Sequence, residues 1–261
     1  MSQPEKSQPE NVFHISGSSI QNLSGSGSIY YAEAASSNQP NSDSVSDTSS
    51  HLPIQKILIL SANPQNTSQR RLAEEVRDIH EGLQRSQKRD QFVLEQRWAV
   101  RPRDIQRSLL EVRPQVVHFC GHSQQSASIP ESPLASARSV AVVTDIPEPE
   151  GLVFEDNQGQ MTLVEAQALA GLFALFADQI ECVLLNACYS QGQAEAIAQQ
   201  IPYVIGLSQA LGDRAAIEFA VSFYDALGAG ESIEFAYQFG CAAVQLWGVA
   251  KKQLPVLNKR T

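Results

Sequence analysis

KILILSANP (residues 56–64) contains an apolar run from Ile57 to Leu60, which ends at the turn-forming residues that follow. Runs of this length bounded by turn residues are typical of strands buried on both faces of a parallel sheet. Asn66, Thr67 or Ser68 can cap a helix after it. The following segment carries apolar residues at helical spacing, namely Leu72, Val76, Ile79 and Leu83. The start of the domain is therefore predicted to be a buried strand followed by a helix with one apolar face.

The same alternation continues to residue 246. Further strands are predicted at 92–100, 115–119, 151–156, 182–187 and 203–207. Helices are predicted at 104–112, 162–176, from near Gln191, 213–227 and 231–246. Buried strands separated by helices predict an α/β three-layer sandwich, with a mostly parallel central sheet and helices on both faces.

The chain divides into four segments by composition. Residues 1–34 form a short Gly/Ser-rich, β-prone motif in which HISGSSI (14–20) is echoed by NLSGSGSI (22–29). Residues 35–52 are predicted to be a flexible linker, 53–250 the folded domain and 251–261 a C-terminal tail. Two interpretations of the first segment stay open. One is a disordered tail, and the other is self-association or partner recruitment through residues 11–35.

Composition excludes several classes of protein. The net charge is -9 and no block of basic residues occurs, so nucleic acid is not an expected ligand. The four cysteines have neither the spacing of a zinc site nor that of a disulfide framework. No signal peptide or membrane segment is predicted, and we expect a cytoplasmic protein whose thiols stay reduced.

Two predicted strands end in residues that can perform nucleophilic chemistry. VVHFCGHS (116–123) places His122 just beyond one strand, and LLNACYS (184–190) places Cys188 between another strand and a helix. The carboxyl ends of parallel strands meet at one edge of a sheet, where a helix N-terminus favours a thiolate and a nearby imidazole can act as base. His118 and the remaining cysteines, Cys120, Cys182 and Cys241, are predicted to be structural.

The ordered motifs resemble the CHAT family of caspase-related (clan CD) cysteine peptidases. The segments that carry the resemblance, over about residues 55–247, are KILILSANP, RRLAEEVRDI, PQVVHFCGHS, GLVFEDNQG, LLNACYS and IPYVIGLSQALGDRAAIEFAVSFYDAL. The resemblance implies a caspase-like fold and hydrolysis of a peptide bond by a dyad of His122 and Cys188. It implies no metal and no organic cofactor.

The resemblance also suggests the remaining site residues. The oxyanion would be held by the backbone N–H groups of Cys188 and of Ser123, at which the family usually has glycine. Asn186 takes the place of a residue that lines the substrate pocket. Asp213 is a candidate for recognising a basic residue and Arg71 for an acidic one, while a helix cap and a solvated surface position are the competing interpretations.

The resulting expectation is a cysteine endopeptidase that cleaves a protein or peptide substrate in a signalling or defence pathway. The alternative is a catalytically silent caspase-like module that acts as a binding or assembly partner, with the oxyanion hole altered at Ser123. A nucleotide-binding protein is disfavoured, because no phosphate-binding glycine motif follows a predicted strand.

Overall fold

A computed structural model describes residues 54–68, 70–124, 150–249 and 251–260. All of them lie in one compact unit that begins at His51. The predicted N-terminal motif (1–34) and linker (35–52) fall outside the described residues, and so do residues 125–149.

The central sheet confirms the predicted mostly parallel arrangement. Its strands follow the order β2-β1-β3-β7-β8-β9, in which every pairing is parallel except that of β8 with β9. A separate antiparallel sheet has the order β4-β5-β6. The strands are β1 (Gln55–Ser61), β2 (Phe92–Trp98), β3 (Val116–Cys120), β4 (His122–Gln124), β5 (Gly151–Glu155), β6 (Met161–Val164), β7 (Cys182–Asn186), β8 (Tyr203–Gly206) and β9 (Val256–Lys259).

Helices cover both faces of the central sheet, as predicted. They are α1 (Leu72–Arg85), α2 (Pro102–Val112), α3 (Ala166–Ala174), α4 (Gln191–Ala198), α5 (Asp213–Ala229) and α6 (Ile233–Leu246). Buried residues of α1, α5 and α6 form one hydrophobic core, and those of α2, α3 and α4 form the other. The architecture is therefore a three-layer α/β sandwich.

Neighbouring residues of each central strand belong to different cores. In β1, Ile57 and Ile59 pack with α1 and α5, whereas Leu58 and Leu60 pack with α2 and α3. Each of these four side chains is at most 2% exposed. Because strand side chains alternate between faces, only a strand that is apolar at every position can support two cores. This requirement explains the uninterrupted run at 57–60.

Two short strands correct the predicted element boundaries. The predicted helix at 162–176 is shorter, because β6 occupies Met161–Val164 and pairs with β5, so that α3 starts at Ala166. The predicted tail at 251–261 contains β9, which pairs antiparallel with β8. Neither strand has a long apolar run, so the formation of each depends on pairing with a neighbouring strand. For β6 this partner is β5, across a turn, and for β9 it is β8, which is distant in sequence.

Within the described part of the chain, no helix is long and apolar enough to cross a membrane.

Candidate active site

The pairing of β3 with β7 determines where His122 and Cys188 lie. Cys120, at the end of β3, is the register partner of Asn186, at the end of β7. His122 and Cys188 each follow two residues later, and the N–H of Gly121 donates to the Asn186 carbonyl at 3.4 Å. Both residues therefore leave the sheet at its carboxyl edge, and both are half-buried.

Gly121 allows the chain to turn sharply between β3 and His122. A Cβ atom at this position would lie 2.7 Å from Phe119 Cζ and 3.0 Å from the carbonyl oxygen of Ala62. Contacts this short would force the backbone away from the sheet. Glycine thus fixes the position from which the His122 side chain is presented.

The imidazole of His122 is held in its neutral form more strongly than that of a free histidine. Partial burial is the main cause of its lowered pKa, and the positive charge of Arg70 adds to the effect. A hydrogen bond with the Ser68 backbone and the carboxylate of Asp213 act in the opposite direction. Nε2 is buried and has no hydrogen-bond partner among the described residues, which leaves a nitrogen free to accept a proton.

Cys188 lies in a strained turn between β7 and α4. The next residue, Tyr189, has φ 60°, a left-handed conformation that costs a non-glycine residue about 1–2 kcal/mol. Ser190 holds the turn in place, since its Oγ donates to Leu185 O and accepts from Leu207 N, both at 3.1 Å. The Cys188 thiol is directed at Leu211 O, 3.6 Å away.

Ser123 connects the two segments of the site. Its hydroxyl donates a short hydrogen bond to the backbone carbonyl of Cys188. The residue after the candidate base is thereby tied to the residue that would supply the nucleophile. The roles of the Ser123 and Cys188 backbone N–H groups in an oxyanion hole stay predictions.

Arg70 is the site residue that sequence reasoning missed. Its side chain is only 7% exposed, and its Nη1 donates to Gly121 O at 2.6 Å and lies 3.5 Å from Asn186 O. Its Nε pairs with Asp213 Oδ1 at 3.2 Å. One guanidinium therefore links the segments that precede His122 and Cys188 to the first residue of α5.

The three predicted pocket residues take different positions. Asp213 is 41% exposed and is held by Arg70. Arg71 is 59% exposed and pairs with Glu74 at 3.0 Å within α1, which places it on a solvated surface. Asn186 is 3% exposed and donates to Glu75 Oε1 at 2.5 Å and to Ala216 O at 3.3 Å. Their contribution to substrate recognition stays a prediction.

A second set of polar residues lies inside the core. Glu75, His118 and Cys120 are all buried, and their candidate ligand atoms lie within 4.8 Å of one another. His118 and Cys120 are two residues apart in β3 and so face the same side of the sheet. Glu75 comes from the apolar stripe of α1, three residues after Leu72 and four before Ile79. An acidic residue on the apolar face of a helix is a sequence signal that can reveal such a cluster.

An open cleft lies beside the carboxyl end of β2. Its volume is about 590 Å³, and its lining includes Trp98, Arg101 and Glu155. Neither His122 nor Cys188 is among the lining residues. This cleft is therefore separate from the candidate active site.

Two solved structures resemble the fold. The secreted C11 cysteine protease "iotapain" from Bacteroides thetaiotaomicron is 9% identical, with a TM-score of 0.46 over 77% of this chain and 64% of that one. The Drosophila initiator caspase Dronc is 10% identical, with a TM-score of 0.47 over 78% of this chain and 79% of that one. The present chain thus spans about two thirds of the C11 protease.

The sequence comparisons give two results. No curated protein matches the chain. The sequence profile of the CHAT domain, in contrast, matches residues 20–238. This match extends over most of the chain and includes both His122 and Cys188, and it confirms the resemblance carried by the motifs: the protein belongs to the CHAT family.

Proposed function

We propose that this protein is a caspase-like cysteine endopeptidase, with Cys188 as nucleophile and His122 as general base. The observation that carries the proposal is the register of β3 with β7, which brings both residues to one edge of the sheet. Contact between Ser123 and the Cys188 carbonyl supports a shared site, because Ser123 adjoins the imidazole residue.

In the proposed reaction His122 accepts and returns a proton twice, once in acylation and once in deacylation. The imidazole takes the proton of the Cys188 thiol, and the sulfur attacks the carbonyl carbon of the scissile peptide bond. The imidazolium then gives that proton to the departing amine, so that an acyl-enzyme is left. Water activated by the same imidazole hydrolyses the thioester and restores the thiol. The lowered pKa of His122 suits the first step, since a neutral imidazole is needed.

The position of Cys188 before α4 favours this chemistry. The partial positive charge at a helix N-terminus stabilises a nearby thiolate. In the structure the thiol donates to Leu211 O instead of to an imidazole nitrogen. We propose that the bound substrate displaces this contact, since catalytic hydrogen bonds often tighten only in the substrate complex.

The pair of Arg70 and Asp213 is the proposed source of charge selectivity. Asp213 is the more exposed partner, whereas Arg70 is nearly buried and already bonded to main-chain carbonyls. A basic side chain of the substrate would meet the Asp213 carboxylate, which we therefore favour over Arg71 as the recognition residue. The exposed pair of Arg71 with Glu74 accounts for Arg71 without a substrate.

The proposal extends to the substrate, the cell compartment and the recruitment of the peptidase. The substrate would be a protein in a signalling or defence pathway, cleaved in the cytoplasm where free thiols stay reduced. Recruitment or self-association through residues 11–35 would bring the peptidase to that substrate. These residues fall outside the described part of the chain.

A peptide-library digest tests the proposal. The full chain is incubated with the library, and cleavage sites are identified by mass spectrometry. Wild type should cut, with enrichment of basic residues on the acyl side of the cut, and Cys188→Ala should not. Cys182→Ala is the matched control, because this cysteine is buried at the far end of β7 and should leave cleavage intact. Equal cleavage by wild type and Cys188→Ala would disprove the assignment.

A silent binding module is the second candidate. Two observations favour it: the thiol points to Leu211 O, and the Ser123 side chain is bonded to the Cys188 carbonyl beside the expected oxyanion hole. Ser123→Gly discriminates between the candidates. Restored or increased cleavage in this variant, with none in wild type, would identify the natural protein as the silent form.

A further inference from the structure

We propose that Glu75, His118 and Cys120 bind a structural zinc ion in the core, beneath the candidate active site. Each residue supplies one ligand atom, and the three atoms all lie within 4.8 Å of one another. Zinc bonds of about 2.0–2.3 Å place the ligand atoms of a tetrahedral site about 3.3–3.8 Å apart. Small side-chain rotations therefore bring this trio to ligation distance.

Unpartnered buried atoms around the trio point independently to a missing ligand. His118 is fully buried, and neither ring nitrogen makes a hydrogen bond with a described residue, although Nε2 lies 3.2 Å from Glu75 Oε1. The hydroxyl of the fully buried Tyr224 also has no hydrogen-bond partner among the described residues. Buried polar atoms are nearly always satisfied, so unpartnered atoms in one place favour a bound species.

The donor set selects the type of ion. A thiolate, an imidazole nitrogen and a carboxylate together suit zinc, whereas magnesium and calcium prefer oxygen ligands. Ser61 ends β1 and is the register partner of Cys120, which places it beside the trio. All three ligand residues are buried, so the site would be structural.

Charge balance supports the same assignment. A divalent cation with one thiolate, one carboxylate and one neutral imidazole is neutral overall, as a buried site requires. Arg70 is paired with Asp213 and bonded to main-chain carbonyls, and no ion pair between Arg70 and Glu75 is found in the described part of the chain.

The surrounding residues form the outer shell that such a site needs. Asn186 Nδ2 donates to Glu75 Oε1 at 2.5 Å, which orients the carboxylate. The ring of Tyr224 stacks on His118, with the ring centroids 5.6 Å apart. Partners of this kind fix the orientation of ligands in known metal sites. The ion would connect α1 to β3.

A single-thiol version of the full chain tests the proposal without altering a ligand. Cys182→Ala, Cys188→Ala and Cys241→Ala are combined, so that Cys120 is the only thiol present. The purified, untagged chain is analysed for zinc by mass spectrometry, and the zinc is then exchanged for Co²⁺. We expect one zinc per chain, a cobalt–thiolate charge-transfer band and a lower Tm after chelation.

Adding Cys120→Ala to that chain should remove both the zinc and the thiolate band. The proposal would be overturned if the chain contains no zinc, shows no cobalt–thiolate band and has the same Tm with and without a chelator. Zinc that persists with only oxygen and nitrogen ligands would overturn it as well, because the ion would then lie elsewhere. The outcome is independent of peptidase activity, since the nucleophile is absent throughout.

Discussion

The molecule carries two pairs of histidine and cysteine. One pair lies at the carboxyl edge of the central sheet, here called the rim, and the other lies in the core. His122 and Cys188 follow the ends of β3 and β7 and are half-buried, whereas His118 and Cys120 lie within β3 and are fully buried. The residue types are the same, but one pair follows the ends of two neighbouring strands and the other lies within a single strand. This comparison shows that a thiol beyond the strand end is partly exposed, whereas one inside the strand is surrounded by other protein groups.

The largest expected difference between the pairs is in thiol reactivity. Cys120, Cys182 and Cys241 are buried, whereas Cys188 is half-buried, and burial raises the pKa of Cys182 and Cys241. We expect iodoacetamide to label Cys188 roughly 100-fold faster than the other three in the native protein. Peptide mass spectrometry in native buffer and in urea measures the rates. Native labelling of Cys120 at the rate of Cys188 would contradict the comparison.

A second expected difference is in stability. Asn186→Ala removes two donors from the core and leaves the buried Glu75 carboxylate short of one, which should lower the free energy of unfolding by about 3 kcal/mol. Asp213→Asn at the rim weakens a partly exposed ion pair and should cost at most about 1 kcal/mol. Urea unfolding compares the two variants. Similar losses would mean that the rim is as tightly constrained as the core.

A smaller effect is expected on the pH dependence of kcat/KM for the proposed reaction. Arg70 favours the neutral form of His122, so removing its charge should raise the histidine pKa. The proposed reaction needs the neutral imidazole, and the acid limb of kcat/KM should therefore move to higher pH in Arg70→Gln. Arg70→Lys keeps the charge and should leave the limb near its wild-type position. A limb that moves to lower pH in Arg70→Gln would contradict the electrostatic argument.

The smallest expected effect concerns backbone strain. Tyr189, which follows Cys188, and Arg113 at the end of α2 both have positive φ, 60° and 51°. Glycine at either position relieves the strain but loses more chain entropy on folding, for a net gain of about 0.5 kcal/mol. Only Tyr189→Gly should also slow alkylation of Cys188, because it loosens the turn that holds the thiol. Equal alkylation rates in the two variants would show that the strain has no role in the site.

Much of the fold can be predicted from the sequence because it depends on local burial patterns. A strand such as Ile57–Leu60 is apolar at every position only if both faces are covered, and this pattern predicts the sandwich. His122 and Cys188 follow apolar strands, so their placement at one edge follows from the rule for parallel sheets. The fold and the positions of His122 and Cys188 were therefore predictable.

The remaining features depend on contacts that no local pattern encodes. Arg70 and Arg71 are neighbours, and only the direction in which the chain enters α1 decides which one turns inward. The short strands β6 and β9 exist because β5 and β8 offer them an edge. The buried trio joins Glu75 to a strand that lies 43 residues away at His118, a separation across which spacing rules carry no information.

The antiparallel direction of β9 has a practical consequence for handling the protein. Lys259 lies opposite Tyr203, at the amino end of β8, and Gln55 begins β1 at the same edge. Both ends of the described fold therefore leave from the side of the sheet opposite Cys188. A fluorescent fusion or a surface tether attached after β9 should leave the approach to the thiol unobstructed.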